Sequence, residues 1–376
     1  MKQVTIVQRV LMHYRIPIYE RLPDRETEVS VYYGEAKGSL PEKSRCIYRL
    51  LFSIPIKFSF GAKQYFMPFY PQACFRILHE RPDVLVLEGA TNLANNLFLY
   101  PAGKLCGARI IWWDAGRRAG ARPNLLRRLA DPIINAMMRH ADSCLAYSTL
   151  AKQYMIDRGV PAERIAIAYN TLDTEAIDSM RIANEKRALE IRSQLRLDGK
   201  RVIIYVGVIE RRKRVELLVD AFARIRGEDA RTELLIVGSG PHEEALQRYV
   251  LNKGTDGVHF LGRKVKDVGA YLLSSDIFVL PGEGGLGMVE AMAHSLPVVA
   301  SSADGSELDL IEQGVNGFIV PEEDVDKMAN AIRTILADPM KRKHFGRAAR
   351  ARIDGPYSVL NFVKTISAAI NGPEPK

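Results

Sequence analysis

The chain alternates short, nearly all-apolar runs with longer segments whose apolar residues recur every three or four positions. In its first half, Val4–Val7, Val29–Tyr33, Asp83–Leu87, Arg109–Trp113, Ser143–Tyr147 and Ile165–Ala168 read as strands. Helical periodicity falls between them, at Pro17–Leu22, Pro71–Glu80, Leu93–Leu105, Arg127–His140 and Leu150–Arg158. Strands that are apolar on both faces and separated by helices predict a parallel sheet covered on both sides. A second series of strands begins at Val202–Val206 and continues through Leu234–Val237, His259–Leu261, Ile277–Leu280, Pro297–Ala300 and Phe318–Val320, with helices such as Val215–Arg226 and Glu243–Leu251 between them. The charged helical stretch Glu175–Gly199 separates the two series and is the expected inter-domain connection. The expected fold is therefore α/β, with two Rossmann-like, doubly wound parallel-sheet domains, 1–176 and 177–355, facing a central cleft. In open sheets of this kind ligands bind beyond the carboxyl ends of the strands. Gly34–Ser44 and Ser53–Phe69 carry no pattern and read as loops.

Composition narrows the class. A chain of 376 residues is long for one domain and ordinary for two. With 47% hydrophobic and 26% charged residues it is globular rather than disordered. It holds no apolar run of 18 residues, so no membrane-crossing helix is expected. Met1–Gln8 reads as a strand and not a signal peptide, and the expected location is cytoplasmic. Cys46, Cys74, Cys106 and Cys144 are scattered without metal-ligand spacing and are expected as free thiols.

Charge adds an asymmetry. The net charge is +9, and residues 1–176 hold 24 Lys and Arg against 16 Asp and Glu, so the remainder is almost neutral. The densest cluster is Arg117, Arg118, Arg122, Arg127 and Arg128. It suits an anionic membrane surface or a lipid-linked phosphate, or it is a solvated basic face. No nucleic-acid-reading motif accompanies it, and nucleic acid is not expected as a partner.

The candidate chemistry sits at strand ends. After the strand ending at Leu280 comes Pro281-Gly282-Glu283-Gly284-Gly285-Leu286-Gly287-Met288, then a helix bearing Glu290. Glycines admit a ligand close to the backbone, and free amides at a helix start hold a pyrophosphate. A carboxylate about two turns along can accept two neighbouring sugar hydroxyls. Gly207 opens a second turn, Gly207–Arg214, whose Arg211, Arg212, Lys213 and Arg214 precede a helix; such cations can neutralise a leaving diphosphate. Gly238-Ser239-Gly240-Pro241 marks a third, tight turn. In the first half His13 and Asp114 follow strands and are the candidates for acceptor contact or proton transfer, while the same positions also suit structural roles. No Asp-x-Asp at a strand end, HExxH or GxxxxGK[ST] is present, and neither a metal nor a cofactor is expected.

Taken together these motifs resemble family 4 (group 1) glycosyltransferases of the GT-B fold, most strongly over residues 140–322. Ala141-Asp142, Ser148, Gly159-Val160-Pro161 and Asn170-Thr171-Leu172-Asp173 resemble the stretch that closes the family's first domain. Lys213 stands at the lysine position of its glycine-containing turn. Pro281–Ala293 with Leu296–Ala300 resembles its donor signature, and Gly314–Phe318 the segment after it. The resemblance implies retaining, metal-independent transfer of a sugar from a nucleotide-sugar to a hydroxyl. It implies that Glu290 holds ribose hydroxyls, that Gly285, Leu286, Gly287 and Met288 offer amides to the diphosphate, and that Lys213 stabilises the leaving charge. Tyr357–Ile370 resembles the helix that crosses back to the first domain, giving 356–370 that place. Three departures stand out. Six residues separate Glu283 from Glu290 where the family has seven, so its first glutamate would fall at Gly282. Val208 occupies a position that is usually arginine, for which Arg211 or Arg212 is the substitute. Asp114 lies where a histidine is usual. The expected function is a hexosyltransferase-type enzyme, peripheral on the inner face of the cell membrane, extending a lipid-linked saccharide in cell-surface polysaccharide or glycolipid synthesis. The alternatives are a sugar-nucleotide epimerase, a transferase with a soluble acceptor, or a catalytically silent nucleotide-sugar-binding protein.

Overall fold

The computed structural model describes residues 1–60, 63–116 and 125–372, in two compact units: Met1–Tyr169 with Val359–Lys376, and Asn170–Ser358. The first unit contains β1 (Lys2–Met12), β2 (Thr27–Lys37), β3 (Ile47–Leu50), β4 (Ile54–Phe60), β5 (Lys63–Phe69), β6 (Val84–Glu88), β7 (Arg109–Asp114), β8 (Ser143–Ala146) and β9 (Ile165–Ile167). Seven of these form a parallel sheet in the order β3-β2-β1-β6-β7-β8-β9.

The two-residue period of a strand sends neighbouring side chains to opposite faces. Trp112 joins Val7, Leu85 and Leu87 under the helices Pro71–Glu80 and Leu93–Leu105, which contribute Ala73, Ile77, Leu99 and Ala102. Trp113 joins Val4, Ile6 and Val86 on the other face, beneath the final helix Val359–Asn371. That helix buries Val359, Phe362, Ile366 and Ile370; at about 1.5–3 kcal/mol for each large apolar side chain, this firmly ties the chain's end to the first sheet.

The second unit contains β10 (Arg201–Val206), β11 (Thr232–Val237), β12 (Val258–Phe260), β13 (Ile277–Leu280), β14 (Val298–Ser301) and β15 (Gly317–Val320). They form a parallel sheet in the order β12-β11-β10-β13-β14-β15. Chain order reverses between β10 and β13, so the turns after these two strands leave from adjacent positions at one edge. Both sheets are Rossmann-like.

Several elements differ from the sequence reading. Ser53–Phe69 is an antiparallel hairpin, β4 against β5, and not a loop. β1 continues to Met12 past the polar Gln8-Arg9, because Val10, Leu11 and Met12 stay paired with Glu35, Ala36 and Lys37 of β2. The stretch read as a helical inter-domain connection is helical, as Thr174–Ser179 and Arg181–Gln194, but both helices belong to the second unit. In the longer helix Asn184, Ala188 and Ile191, at helical spacing, make a narrow buried stripe that the surrounding charges hide in the sequence. All four cysteines are free thiols. Among the described residues no helix is long and apolar enough to cross a membrane. Of the basic cluster, Arg117, Arg118, Arg122 and the Arg127 side chain lie outside the described residues; Arg128 is exposed.

Candidate functional site

At the reversal point of the second sheet three turns interlock. β13 ends at Leu280, and the glycine loop leads into the helix Leu286–Ala293, whose first backbone bond runs from the Val289 amide to the Gly285 carbonyl at 3.0 Å. The amides of Gly285, Leu286, Gly287 and Met288 therefore have no acceptor within the helix. Beside the loop lies the turn after β10, and the Glu283 amide donates to the Arg212 carbonyl at 3.2 Å. Gly282 is needed at this junction: a Cβ there would sit 2.5 Å from the Arg212 oxygen. Gly284, at φ +140°, has a left-handed backbone, and a Cβ on it would lie 2.5 Å from Lys213 Nζ. The third turn closes the group. A Cβ on Gly238 (φ +148°) would meet the Gly207 carbonyl at 1.8 Å, and the Ile209 amide donates to the Ser239 carbonyl at 3.0 Å.

The cations divide their tasks. Lys213 Nζ donates to the Glu283 carbonyl at 2.5 Å, and burial, with the neighbouring charge of Arg212, lowers its pKa. Arg212 Nε binds Glu210 at 2.8 Å, and its Nη1 stands 3.5 Å from a Glu283 oxygen. The hydrogen bond between them holds the Glu210 carboxyl below its ordinary range and raises the Arg212 guanidinium. Arg214 turns away to Glu322 at 2.6 Å, so only part of the basic run faces the glycine loop.

Glu290 is the carboxylate of this site. It is partly buried, and burial alone lifts its pKa from 4.5 to about 7. Among the described residues none hydrogen-bonds or ion-pairs with its carboxylate, although its main-chain carbonyl accepts from His294 Nδ1 at 2.8 Å. A desolvated carboxylate without a protein partner, one turn past open helix amides, is arranged to receive hydroxyl donors. Glu283 does not duplicate it, since its main chain contacts Lys213 and its side chain stands near Arg212.

Two residues that the sequence reading passed over brace the loop. Asp304 Oδ2 accepts from the Gly284 amide at 2.9 Å, and the Ser306 hydroxyl donates to the Gly284 carbonyl at 2.9 Å. The signal was an Asp-Gly-Ser run after β14, legible only once β14 is known to lie beside β13.

In the first unit His13 is exposed just beyond β1, its ring edge-on to Tyr14 at 5.7 Å. Asp114 is buried at the end of β7 and bridges two turns. It accepts from the Ala90 amide at 2.9 Å, the Gly116 amide at 2.8 Å and the Trp112 indole at 3.2 Å. Arg15, two residues after His13, is buried among aromatic rings, 4.8 Å from Trp113 and 5.0 Å from Phe362, where it ties the final helix to β7. Among the described residues no three His, Cys, Asp or Glu side chains gather around a metal position.

Two Rossmann-like parallel sheets, one carrying a glycine loop, open helix amides and a half-buried lysine, have the architecture of the GT-B glycosyltransferases. The family described as "Glycosyl transferases group 1" matches residues 187–352, and "Glycosyltransferase Family 4" matches residues 18–176. The chain belongs to the group 1, family 4 glycosyltransferases. It is 30% identical over 248 residues to alpha-D-kanosaminyltransferase of Streptomyces kanamyceticus, covering 62% of each chain. It is 34% identical over 158 residues to a GDP-mannose-dependent monoacylated alpha-(1-6)-phosphatidylinositol monomannoside mannosyltransferase of Corynebacterium glutamicum, covering 39% of this chain and 41% of the relative. These matches span less than two thirds of the relatives' length. The fold matches the Anabaena protein HepE, solved with UDP, at a TM-score of 0.76 and 18% identity, covering 99% of this chain and 100% of that one.

Proposed function

We propose that this protein transfers a sugar, with retention of configuration, from a nucleotide-sugar to a hydroxyl of a lipid-linked saccharide at the inner face of a cell membrane. The observation that carries the donor half is Glu290, a carboxylate desolvated without a protein partner beside open helix amides and Lys213. In this reading Glu290 accepts the ribose hydroxyls, and the amides of Gly285–Met288 hold the diphosphate. The bond from the sugar's anomeric carbon to the diphosphate breaks while the acceptor oxygen bonds to that carbon and gives its proton to the departing diphosphate oxygen. Lys213 and Arg212 meet the charge left on the diphosphate, with no metal or cofactor required. His13 serves the acceptor side. Asp114, whose oxygens already accept three N–H groups, positions the loops after β6 and β7.

The lipid-linked acceptor draws support from the basic first unit and from the phosphatidylinositol mannoside named as substrate for the Corynebacterium relative. The test offers purified protein a panel of nucleotide-sugars with a polyprenyl-linked saccharide. Transfer to the lipid acceptor supports the reading, and the absence of both transfer and donor hydrolysis from folded protein would sink it. One observation favours a second reading, a catalytically silent nucleotide-sugar-binding protein: Glu283 presents its backbone to Lys213 and its carboxylate toward Arg212. Under that reading donor binds and neither product appears.

A further inference from the structure

Two neighbouring helices of the first unit turn large apolar side chains outward. In Pro71–Glu80, Ala73 and Ile77 enter the core while Phe75 is 73% and Leu78 42% exposed. In Leu93–Leu105, Leu99 and Ala102 are buried while Phe98 is 50% and Leu105 78% exposed. The helices lie side by side: the Cys74 thiol reaches the Phe98 carbonyl at 3.9 Å, and the Cys106 thiol reaches the Ile77 carbonyl at 3.4 Å. Phe98 also packs on Phe69, with ring centroids 5.1 Å apart, at the root of the β4–β5 hairpin. There Ile54, the partner of Phe69 across the hairpin, and nearby Phe52 are exposed as well. Single exposed apolar residues are ordinary; a run across two helices and a hairpin root marks an interaction surface. The outward side of a surface helix normally carries charge, and here it carries phenylalanine and leucine.

The charge of the unit indicates what that surface meets. Residues 1–169 with 359–376 hold 26 Lys and Arg against 15 Asp and Glu, whereas residues 170–358 hold 27 against 29. The apolar face thus belongs to the unit with all the excess positive charge; Arg81 ends its first helix, while Arg76 and Lys104, on the two helices, pair with Glu80 and Asp142. A second copy packed on the same face would bring two strongly basic units together, which like-charge repulsion opposes. An anionic bilayer offers both an apolar boundary and the opposite charge.

We propose that the face formed by helices Pro71–Glu80 and Leu93–Leu105 and the hairpin root docks on an anionic lipid surface. Phe75, Phe98 and Leu105 enter the headgroup boundary without crossing the bilayer. This rests on the reading of a lipid-linked acceptor and names the surface by which the protein reaches it. Tyr70, between the hairpin and the first of these helices, bonds through its hydroxyl to the Arg9 carbonyl at 3.4 Å. Arg9 in turn donates from its amide to Glu88, at the carboxyl end of β6, at 2.7 Å. The docking face therefore adjoins the edge of the first sheet where the acceptor is expected.

The test is co-sedimentation of the full chain with phosphatidylcholine vesicles, with and without phosphatidylglycerol. The variants are Phe75→Ser with Leu105→Ser, and, as a control on the second unit, Ile182→Ser with Leu189→Ser, two residues that are 84% and 71% exposed. Wild type is expected to partition onto the phosphatidylglycerol vesicles, less so at high salt. The face variant should lose about tenfold or more of that partitioning, while the control keeps it. Affinity for the nucleoside diphosphate that wild type binds, reporting on the second unit, should be unchanged in both variants. A face variant that partitions like wild type, or a wild type that ignores anionic vesicles, overturns the proposal. So does wild type that elutes as a dimer which the face variant abolishes, without vesicle binding. Failure of wild type to bind any member of a nucleoside diphosphate panel would instead sink the donor-site reading and leave the vesicle result standing.

Discussion

Replacing Glu290 with glutamine should stabilise the empty protein at neutral to alkaline pH while weakening its hold on donor. Burial raises the pKa of this carboxyl from 4.5 to about 7, so the folded state retains a proton that the unfolded chain releases. The sign follows from that difference. Below pH 4.5 both states are protonated and the group has no effect. As pH rises toward 7 the unfolded chain has already lost its proton, and stability falls until the folded pKa is passed. The shift corresponds to about 3 kcal/mol as an upper bound, at about 1.36 kcal/mol per pKa unit. Glutamine keeps the shape and removes the charge. At pH 8 the variant should therefore melt higher than wild type, by up to roughly 5–10 °C for a unit of this size, with the gap closing below pH 5. In the same variant affinity for the nucleoside diphosphate that wild type binds should fall by roughly tenfold to a hundredfold, since hydrogen bonds to a charged acceptor are worth about 1.5–3 kcal/mol. Wild-type affinity should rise as pH passes through 7, because the ionised carboxylate is the better acceptor. Thermal melts at pH 4.5 and 8, paired with calorimetric titration of a nucleoside diphosphate panel, measure both effects. If Glu290→Gln melts no higher at pH 8 and binds every nucleotide as wild type does, the assignment of Glu290 is refuted.

Lys213→Ala should lower kcat by roughly a hundredfold or more with a smaller change in KM if, as proposed, the ammonium acts on charge that develops as the diphosphate leaves; equal effects on both would assign Lys213 to ground-state binding. Asp304→Ala removes the acceptor of the Gly284 amide and should weaken nucleotide binding by roughly tenfold, at about 1–1.5 kcal/mol for a lost hydrogen bond; tighter binding would mean that Asp304 competes with the diphosphate for that amide. Gly238→Ala places a Cβ against the Gly207 carbonyl in a backbone conformation suited to glycine, and chemical denaturation should show a loss of about 2 kcal/mol or more. A loss under about 0.5 kcal/mol, the range of an ordinary surface substitution, would mean that the three turns are less tightly joined than described.

Much of the fold lay in local pattern. Apolar runs such as Ile277–Leu280 and periodic helices such as Pro71–Glu80 coincide with the observed elements, because a strand buried on both faces and a one-sided helix must write their burial into the sequence. The pattern failed where burial is slight. The β4–β5 hairpin belongs to no large sheet, and Arg181–Gln194, helical in the sequence reading, reads there as a connection because its three-residue buried stripe lies among charges. The glycine loop and Glu290 were legible for a related reason: glycines at a strand end and a carboxylate on the next helix are neighbours in sequence as well as in space.

Only the tertiary structure decided how those residues are partnered. Strand order alone brings β14 beside β13, and with it Asp304 and Ser306 against Gly284, twenty or more residues distant in the chain. It also separates Arg212 and Lys213, which face the loop, from Arg214, which is held by Glu322. Composition fixed that the first half is basic, but which helix faces stay apolar and uncovered depends on what packs on what. A charge or a periodicity is a property of neighbouring residues; a partner, or its absence, is a property of the fold.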